Sequence, residues 1–216
     1  LVNGALVAGE FGDTIEEGLL VCSECGHPFA VEAGIPVMLS PHLPRYAEKM
    51  REAGLAASID GIGNVIGLGE RPARARLLTG SHSESQNHAG WLDGALGVIY
   101  GIETALAFKE DRSTAEFGID VGAWADEEGH FGSLIGSRSF CGELNDDELT
   151  GLKNKHNGTP LTEALARVGL SSRPRARIDA ERYVGYFEAH IEQGAVLERE
   201  GKSIGIVTSI IGNWQY

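Results

Sequence analysis

ARLLTGSHSESQNHAGWLDGALGVIYGIETALAF, residues 75–108, passes from a short apolar run through a polar loop into a longer apolar run. The first run, 75–81, has the length and β-branched or aliphatic content of a buried strand. The second, 94–108, is apolar almost all round, which predicts a buried helix rather than a surface one. The loop between them, SHSESQNHAGWLDG (81–94), carries two histidines, a glutamate and an aspartate. It is too polar for a strand interior and too rich in ligand-type side chains for an ordinary turn. The stretch therefore reads as a strand–loop–helix unit whose loop leaves the carboxyl end of the strand.

The same alternation continues outward. PRYAEKMREAGL (44–55) predicts a helix with Gly54 as its stop, and ASIDGIGNVIGLG (57–69) a hairpin broken by glycines. FGIDVGAWA (117–125) predicts a core strand that runs into DEEGHFGS. TPLTEALARVG (159–169) predicts a helix with Thr159 as N-cap, Pro160 at the first helical position and Gly169 as stop. YVGYFEAHIEQG (183–194) predicts a third strand followed by a short helix. Strands alternating with helices imply an α/β fold, a mostly parallel sheet with helices on both faces. Ahead of it, GLLVCSECGHPFAVEAGIPVML (18–39) predicts a small β-rich segment, with SPHLPR (40–45) as a linker. The domain boundary is placed between 43 and 44.

Composition narrows the function classes. The 216 residues carry 30 glycines, which suits a fold with many backbone-critical turns. A net charge of −13 argues against nucleic acid or an anionic membrane as partner. The basic stretches ERPARAR (70–76) and SSRPRAR (171–177) read as solvated loops. No apolar run approaches the ~20 residues of a membrane span. LVNGALVAGEFGD (1–13) lacks a basic region followed by an apolar one, so no signal peptide is expected, and the missing initiator Met suggests a fragment. Three cysteines exclude a disulfide scaffold and point to a reducing cytoplasm. Cys141 reads as a small buried hydrophobe.

Chemistry gathers where loops leave the carboxyl ends of strands in open α/β sheets. Here the first strand end offers His82 and Asp93, the second Asp126, Glu127 and Glu128, and the third His190 and Glu192. Imidazoles with carboxylates suit Zn²⁺ or a similar divalent ion, and one bridging carboxylate lets two metals share an activated water. Glu127 and Glu128 are neighbours, which on an extended chain point oppositely. One can then ligate metal while the other serves as general base. Taken singly, each element has a plainer reading: a turn histidine, a solvated acidic turn, a hydrogen-bonded core histidine. His88 reads as solvent-exposed, and His130 as either lining the cleft or capping the turn.

TGSHSESQNHAGWLDGALGVIYGIE, WADEEGHFGSLIGSRSF and FEAHIEQGAVLEREGKSIGIVTSIIGNWQY together resemble the metal-dependent amidohydrolase branch of the M20 peptidase family. That branch holds N-carbamoyl-L-amino-acid hydrolases, allantoate amidohydrolases and β-ureidopropionases. The resemblance covers residues 44–216 and implies two divalent metal ions, zinc or else manganese, cobalt or nickel. It implies His82 and His190 on one ion, Asp93 as the bridge, Glu128 on the second ion and Glu127 as general base. Glu84 stands where the wider family has an Asp that orients the ligand imidazole, and Gln193 is implied at the substrate. The implied substrates are small ureido acids, and the implied assembly is a homodimer formed through a lid domain. Family members are about twice as long, so the resemblance also implies that the lid and a last ligand histidine are missing here and that turnover is poor.

EEGLLVCSECGHPFAVEAGIPVML (16–39) resembles the closing half of Trm112-like zinc-ribbon proteins, partners of methyltransferases. The resemblance makes Cys22 and Cys25 candidates for a structural zinc, which needs four ligands. A methyltransferase-docking zinc module is therefore the alternative function.

Overall fold

The computed structural model describes residues 39–84 and 92–209, preceded by four short strands, with side chains from residue 43 onward. Those strands, β1 (Ala5–Val7), β2 (Glu17–Cys22), β3 (Pro28–Glu32) and β4 (Ile35–Pro36), form an antiparallel sheet in the order β1-β2-β3-β4. The β-rich segment expected there is present. Helix α1 (Leu39–Glu52) then takes in the whole stretch read as a linker and carries Pro44 within it. Its face bearing Leu43, Ala47 and Met50 is buried, which outweighs the helix-breaking character of the proline.

The second sheet has five strands: β5 (Leu55–Ile59), β6 (Val65–Gly69), β7 (Ala75–His82), β8 (Phe117–Trp124) and β9 (Gly185–Phe187). Their order is β5-β6-β8-β7-β9. β7 pairs parallel with β8 and β9, whereas the β5–β6 hairpin and the β6–β8 pairing are antiparallel. The fold is α/β as predicted, but the sheet is mixed rather than mostly parallel. The hairpin seen in the sequence is the cause, because a short turn can only return the chain antiparallel.

Helix α2 (Ala95–Glu110) connects β7 to β8. With α1 it covers one face, where Met50, Val65, Val98, Ile102, Ala105 and Val121 form the main core. The other face holds Ile66, Leu78, Trp124 and Phe140, the last from helix α3 (Ile135–Cys141). Burial on both faces explains why β8 shows no polar alternation. α2 is less uniformly buried than its composition predicts, since Ile99 and Tyr100 are exposed.

Three further expectations change. Helix α5 (Leu161–Arg167), which follows α4 (Asp146–Gly151), has Pro160 rather than Thr159 at its N-cap. The third strand shrinks to β9, whose three residues are all exposed, before helix α6 (Val196–Arg199). Cys141 is exposed, not buried. Nor are the basic stretches simply solvated. Arg76 is buried on Asp120 at 2.8 Å, and Arg175 and Arg177 bond the Leu144 and Ser139 carbonyls. No described helix is long and apolar enough to cross a membrane.

Strand order decides where side chains can meet. β7 lies between β8 and β9, with His82 opposite Trp124 and Thr79 opposite Phe187. All three chains therefore leave the sheet side by side at the carboxyl end of β7.

Candidate metal centre

His82 is the last residue of β7 and only 3% exposed. Its Nδ1 lies 2.7 Å from the backbone carbonyl of Glu84, which leaves Nε2 facing Asp93. Asp93, equally buried, follows at the start of α2, and its Oδ1 is 3.4 Å from His82 Nε2. Gly94 is what lets the helix begin there. It has φ +74°, and a Cβ at that position would overlap the His82 ring. The positive end of α2 thus opens beside the carboxylate of Asp93.

From the β9 side, His190 Nε2 reaches 3.0 Å from the same Asp93 Oδ1. The two imidazoles face one another at 5.6 Å between ring centres. Gln193 Nε2 donates to the other oxygen of Asp93 at 2.5 Å, so Gln193 sits on the carboxylate implied as the bridge. Glu192 does not join this cluster. Its carboxylate accepts from the backbone N–H groups of Val196 and Leu197 and caps α6.

The acidic turn after β8 is shaped by side chains that consume part of its acidity. Asp126 takes a left-handed φ of 52°, and its carboxylate accepts from the backbone N–H groups of His130, Phe131 and Gly132. It also faces His130 Nδ1 at 3.3 Å, which settles His130 as a turn partner of Asp126 and holds its pKa above the ordinary value. The bend that results corrects the extended-chain expectation. Glu127 and Glu128 do not point apart: each offers an oxygen in one group with His82, all within 4.8 Å of one another. Glu127 Oε2 is 4.0 Å from His82 Nε2.

Glu84 also acts differently from expectation. The backbone carbonyl of Glu84, not its carboxylate, holds the His82 ring. The carboxylate instead accepts from the backbone N–H groups of Glu127 and Glu128, the latter at 3.1 Å. Burial pushes the Glu84 carboxyl above its usual range. Among the described residues its buried Oε2 has no hydrogen-bond partner. Glu127 is likewise raised, first by burial, with His82 pulling it down and Glu128, Glu84 and Glu188 adding to the rise. A raised carboxyl suits a general base near neutral pH.

Sequence reading passed over three residues that shape the site. Asn64 is fully buried, accepts from Ala125 N–H at 3.0 Å and donates to the Gly136 carbonyl at 3.0 Å, tying both sides of the acidic turn together. Ser81 donates to Glu188 Oε1 at 2.5 Å, joining β7 to the chain after β9. Only the position of Glu188 two residues before His190 could have drawn attention to it. His88 and Cys25 lie outside the described residues, and Cys22 is the last residue of β2.

The donors fit a divalent metal ion. Among the described residues, two groups have ligand atoms close enough to share one: His82 with Asp93 and His190, and His82 with Glu127 and Glu128. Two imidazoles with carboxylate oxygens are the donor chemistry of zinc and its neighbours.

Residues 64–156 match Peptidase family M28. The chain is 39% identical over 174 residues to an N-carbamoyl-L-amino-acid amidohydrolase from Pseudomonas sp. (strain NS671), covering 77% of this chain and 42% of that one. It is 40% identical over 173 residues to the N-carbamoyl-L-amino acid amidohydrolase of Geobacillus stearothermophilus, with the same coverage of 77% and 42%. Allantoate deiminase 1 of Glycine max is 32% identical over 178 residues, or 76% of this chain and 35% of its own length. Among solved structures, an amidase of the hydantoinase/carbamoylase family from Burkholderia phymatum superposes with a TM-score of 0.72 at 48% identity, covering 76% of this chain and 41% of that one. The matched family carries the M28 name, while the relatives are the carbamoyl and allantoate hydrolases that the motifs resemble. The chain spans about two fifths of the length of those amidohydrolases. None of these findings supports the methyltransferase-docking alternative.

Proposed function

We propose, from this kinship with N-carbamoyl-L-amino-acid amidohydrolases and allantoate deiminases, that the chain carries the metal-binding core of a hydrolase of linear C–N bonds. Its substrates would be N-carbamoyl amino acids or related ureido acids such as allantoate and 3-ureidopropionate. On this reading residues 44–216 are the first part of the catalytic domain, and 1–43 are a separate segment. The whole protein would work as a cytoplasmic homodimer.

The observation that carries the reading is the convergence on one buried oxygen, Asp93 Oδ1, of His82 Nε2 at 3.4 Å and His190 Nε2 at 3.0 Å. His82, Asp93 and His190 would hold one divalent ion, and Asp93 with Glu128 would hold the second. Zinc fits the donors, as do manganese, cobalt and nickel. When bound, such ions polarise a carbonyl and lower the pKa of water.

The chain's own residues supply the rest. The Glu84 carbonyl fixes the His82 ring with Nδ1 engaged, leaving Nε2 as the ligand atom. Glu127, with its raised carboxyl pKa, accepts the proton of the attacking water at its carboxylate and delivers it to the leaving nitrogen. For an N-carbamoyl substrate, water adds to the carbamoyl carbon and the bond to the amino nitrogen breaks. The products are the amino acid and carbamate, which decomposes to carbon dioxide and ammonia.

The test is release of amino acid from N-carbamoyl-L-amino acids by the metal-loaded protein, beside a dipeptide control. Glu127→Gln should lower the ureido activity by about 10²-fold or more while metal content is kept. Cleavage of the dipeptide alone, or an unchanged rate in Glu127→Gln, would contradict the proposal.

A further inference from the structure

His190 is delivered to Asp93 from a strand that has already ended. The ladder between β7 and β9 contains three pairs, Leu77–Gly185, Leu78–Tyr186 and Thr79–Phe187. Beyond Phe187 no described residue continues the backbone pairing, yet His190 lies three residues further on and still meets a buried carboxylate at 3.0 Å. Something other than the sheet has to hold this stretch in line.

The side chain of Glu188 is in position to do so. Its Oε1 accepts from the hydroxyl of Ser81, which is fully buried and immediately precedes His82. Its Oε2 lies 3.0 Å from the Tyr186 hydroxyl. That hydroxyl accepts from Trp124 Nε1 at 3.0 Å and has a second acceptor in the Gly80 carbonyl at 3.1 Å. A phenol has one hydrogen to give, so the carboxylate and the carbonyl share it. The carboxylate of Glu188 thus continues, through side chains, the register that the backbone ladder abandons. The next residue is clamped as well. A Cβ at Gly97 of α2 would overlap the Ala189 carbonyl, so only glycine there lets that carbonyl pack against the helix.

We propose that Glu188 is a positioning residue for the metal centre: bonded to Ser81, it fixes the chain after β9 so that His190 presents Nε2 to the ion held by His82 and Asp93. The inference rests on the function proposed above. It assigns Glu188 no contact with substrate or metal. Its effect on the metal is transmitted through the placing of His190, and residues that orient a ligand typically contribute about 10–100-fold to metal affinity.

Zinc affinity in a double-mutant cycle separates this from a general structural role. The variants are Glu188→Ala, His190→Ala, the double variant and Glu188→Gln, which keeps an acceptor for Ser81. Glu188→Ala is expected to weaken zinc binding about tenfold. In the His190→Ala background the same change should cost nothing further, and Glu188→Gln should bind within a few-fold of the unaltered protein. Losses that multiply in the double variant, or wild-type affinity in Glu188→Ala, would overturn the proposal. Zinc binding that ignores His190→Ala would sink the metal reading instead. Amide exchange in the metal-free protein then decides the positioning role. Exchange across residues 188–193 should quicken in Glu188→Ala but not in Glu188→Gln, and unchanged exchange in both would overturn it.

Discussion

Toward the amino ends of β7 and β8, Asp120 is fully buried and accepts from the Gly69 N–H, the Arg76 and Arg182 guanidinium groups and the Tyr183 hydroxyl. At the carboxyl ends of the same strands, the atoms that converge are of the opposite kind. Imidazole nitrogens and carboxylate oxygens gather there in two groups that share His82, one with Asp93 and His190 and one with Glu127 and Glu128. Both ends bury charge, but the first supplies donors to match its acceptors and the second concentrates acceptors. A buried carboxylate surrounded by guanidinium is complete in itself. A cluster of lone pairs is the arrangement that a cation completes. One end is structure, and the other is a site.

Breaking the self-contained end should have the largest effect on stability. Asp120→Ala leaves Arg76 buried without its partner, and should cost about 3–5 kcal/mol in denaturant unfolding. A loss below about 1 kcal/mol would mean that water reaches Arg76 and that the contrast is overdrawn. Glu84→Ala should cost less, about 1–3 kcal/mol, because it strips the acceptor from two backbone N–H groups in a half-buried turn. It should also weaken zinc binding through Glu128, whose backbone N–H it holds. Unchanged zinc affinity would show that the turn holds its shape without Glu84. Gln193→Ala, on an exposed residue, should shift metal-free stability by no more than about 0.5 kcal/mol, checked by the same unfolding experiment.

The smallest expected effect is a pH dependence in the metal-free protein. Asp126 raises the pKa of His130 above 6.5 in the folded state. The pairing therefore stabilises the fold fully below the unfolded value and fades as pH rises through the folded one. His130→Gln should flatten the fall in stability as pH rises above the ordinary imidazole range, and an unaltered slope would contradict this role for His130.

The sequence showed most where burial imposes a period. β7, β8 and α2 sit within a residue or two of their expected places, because apolar runs on both faces of a sheet leave little freedom. β9 was overextended. YVGYFEAHIEQG has strand-like composition, but past Phe187 it has no ladder partner among the described residues, and pairing is decided by neighbours remote in sequence. The residue types of the site were legible for the same reason that the strand ends were. Their directions were not. Asp126 looked like one more ligand and proves to be the cap of its own turn. Glu127 and Glu128 were expected to diverge, and the left-handed Asp126 brings them together instead. The sequence pattern points the Glu84 carboxylate at an imidazole, whereas Glu84 reaches His82 through its backbone carbonyl. Asn64, whose amide joins Ala125 to Gly136, has contacts 61 and 72 positions away in the chain, so no local pattern could reveal it.

Whether a metal ion sits at the carboxyl end of β7 is decided by elemental analysis of the purified protein beside His82→Ala and Asp93→Ala. At least about one equivalent of a divalent ion is expected in the unaltered protein, and its loss in both variants, since each removes a donor from the same group. Metal retained undiminished in both would contradict it, because the ion would then be held somewhere other than the carboxyl end of β7.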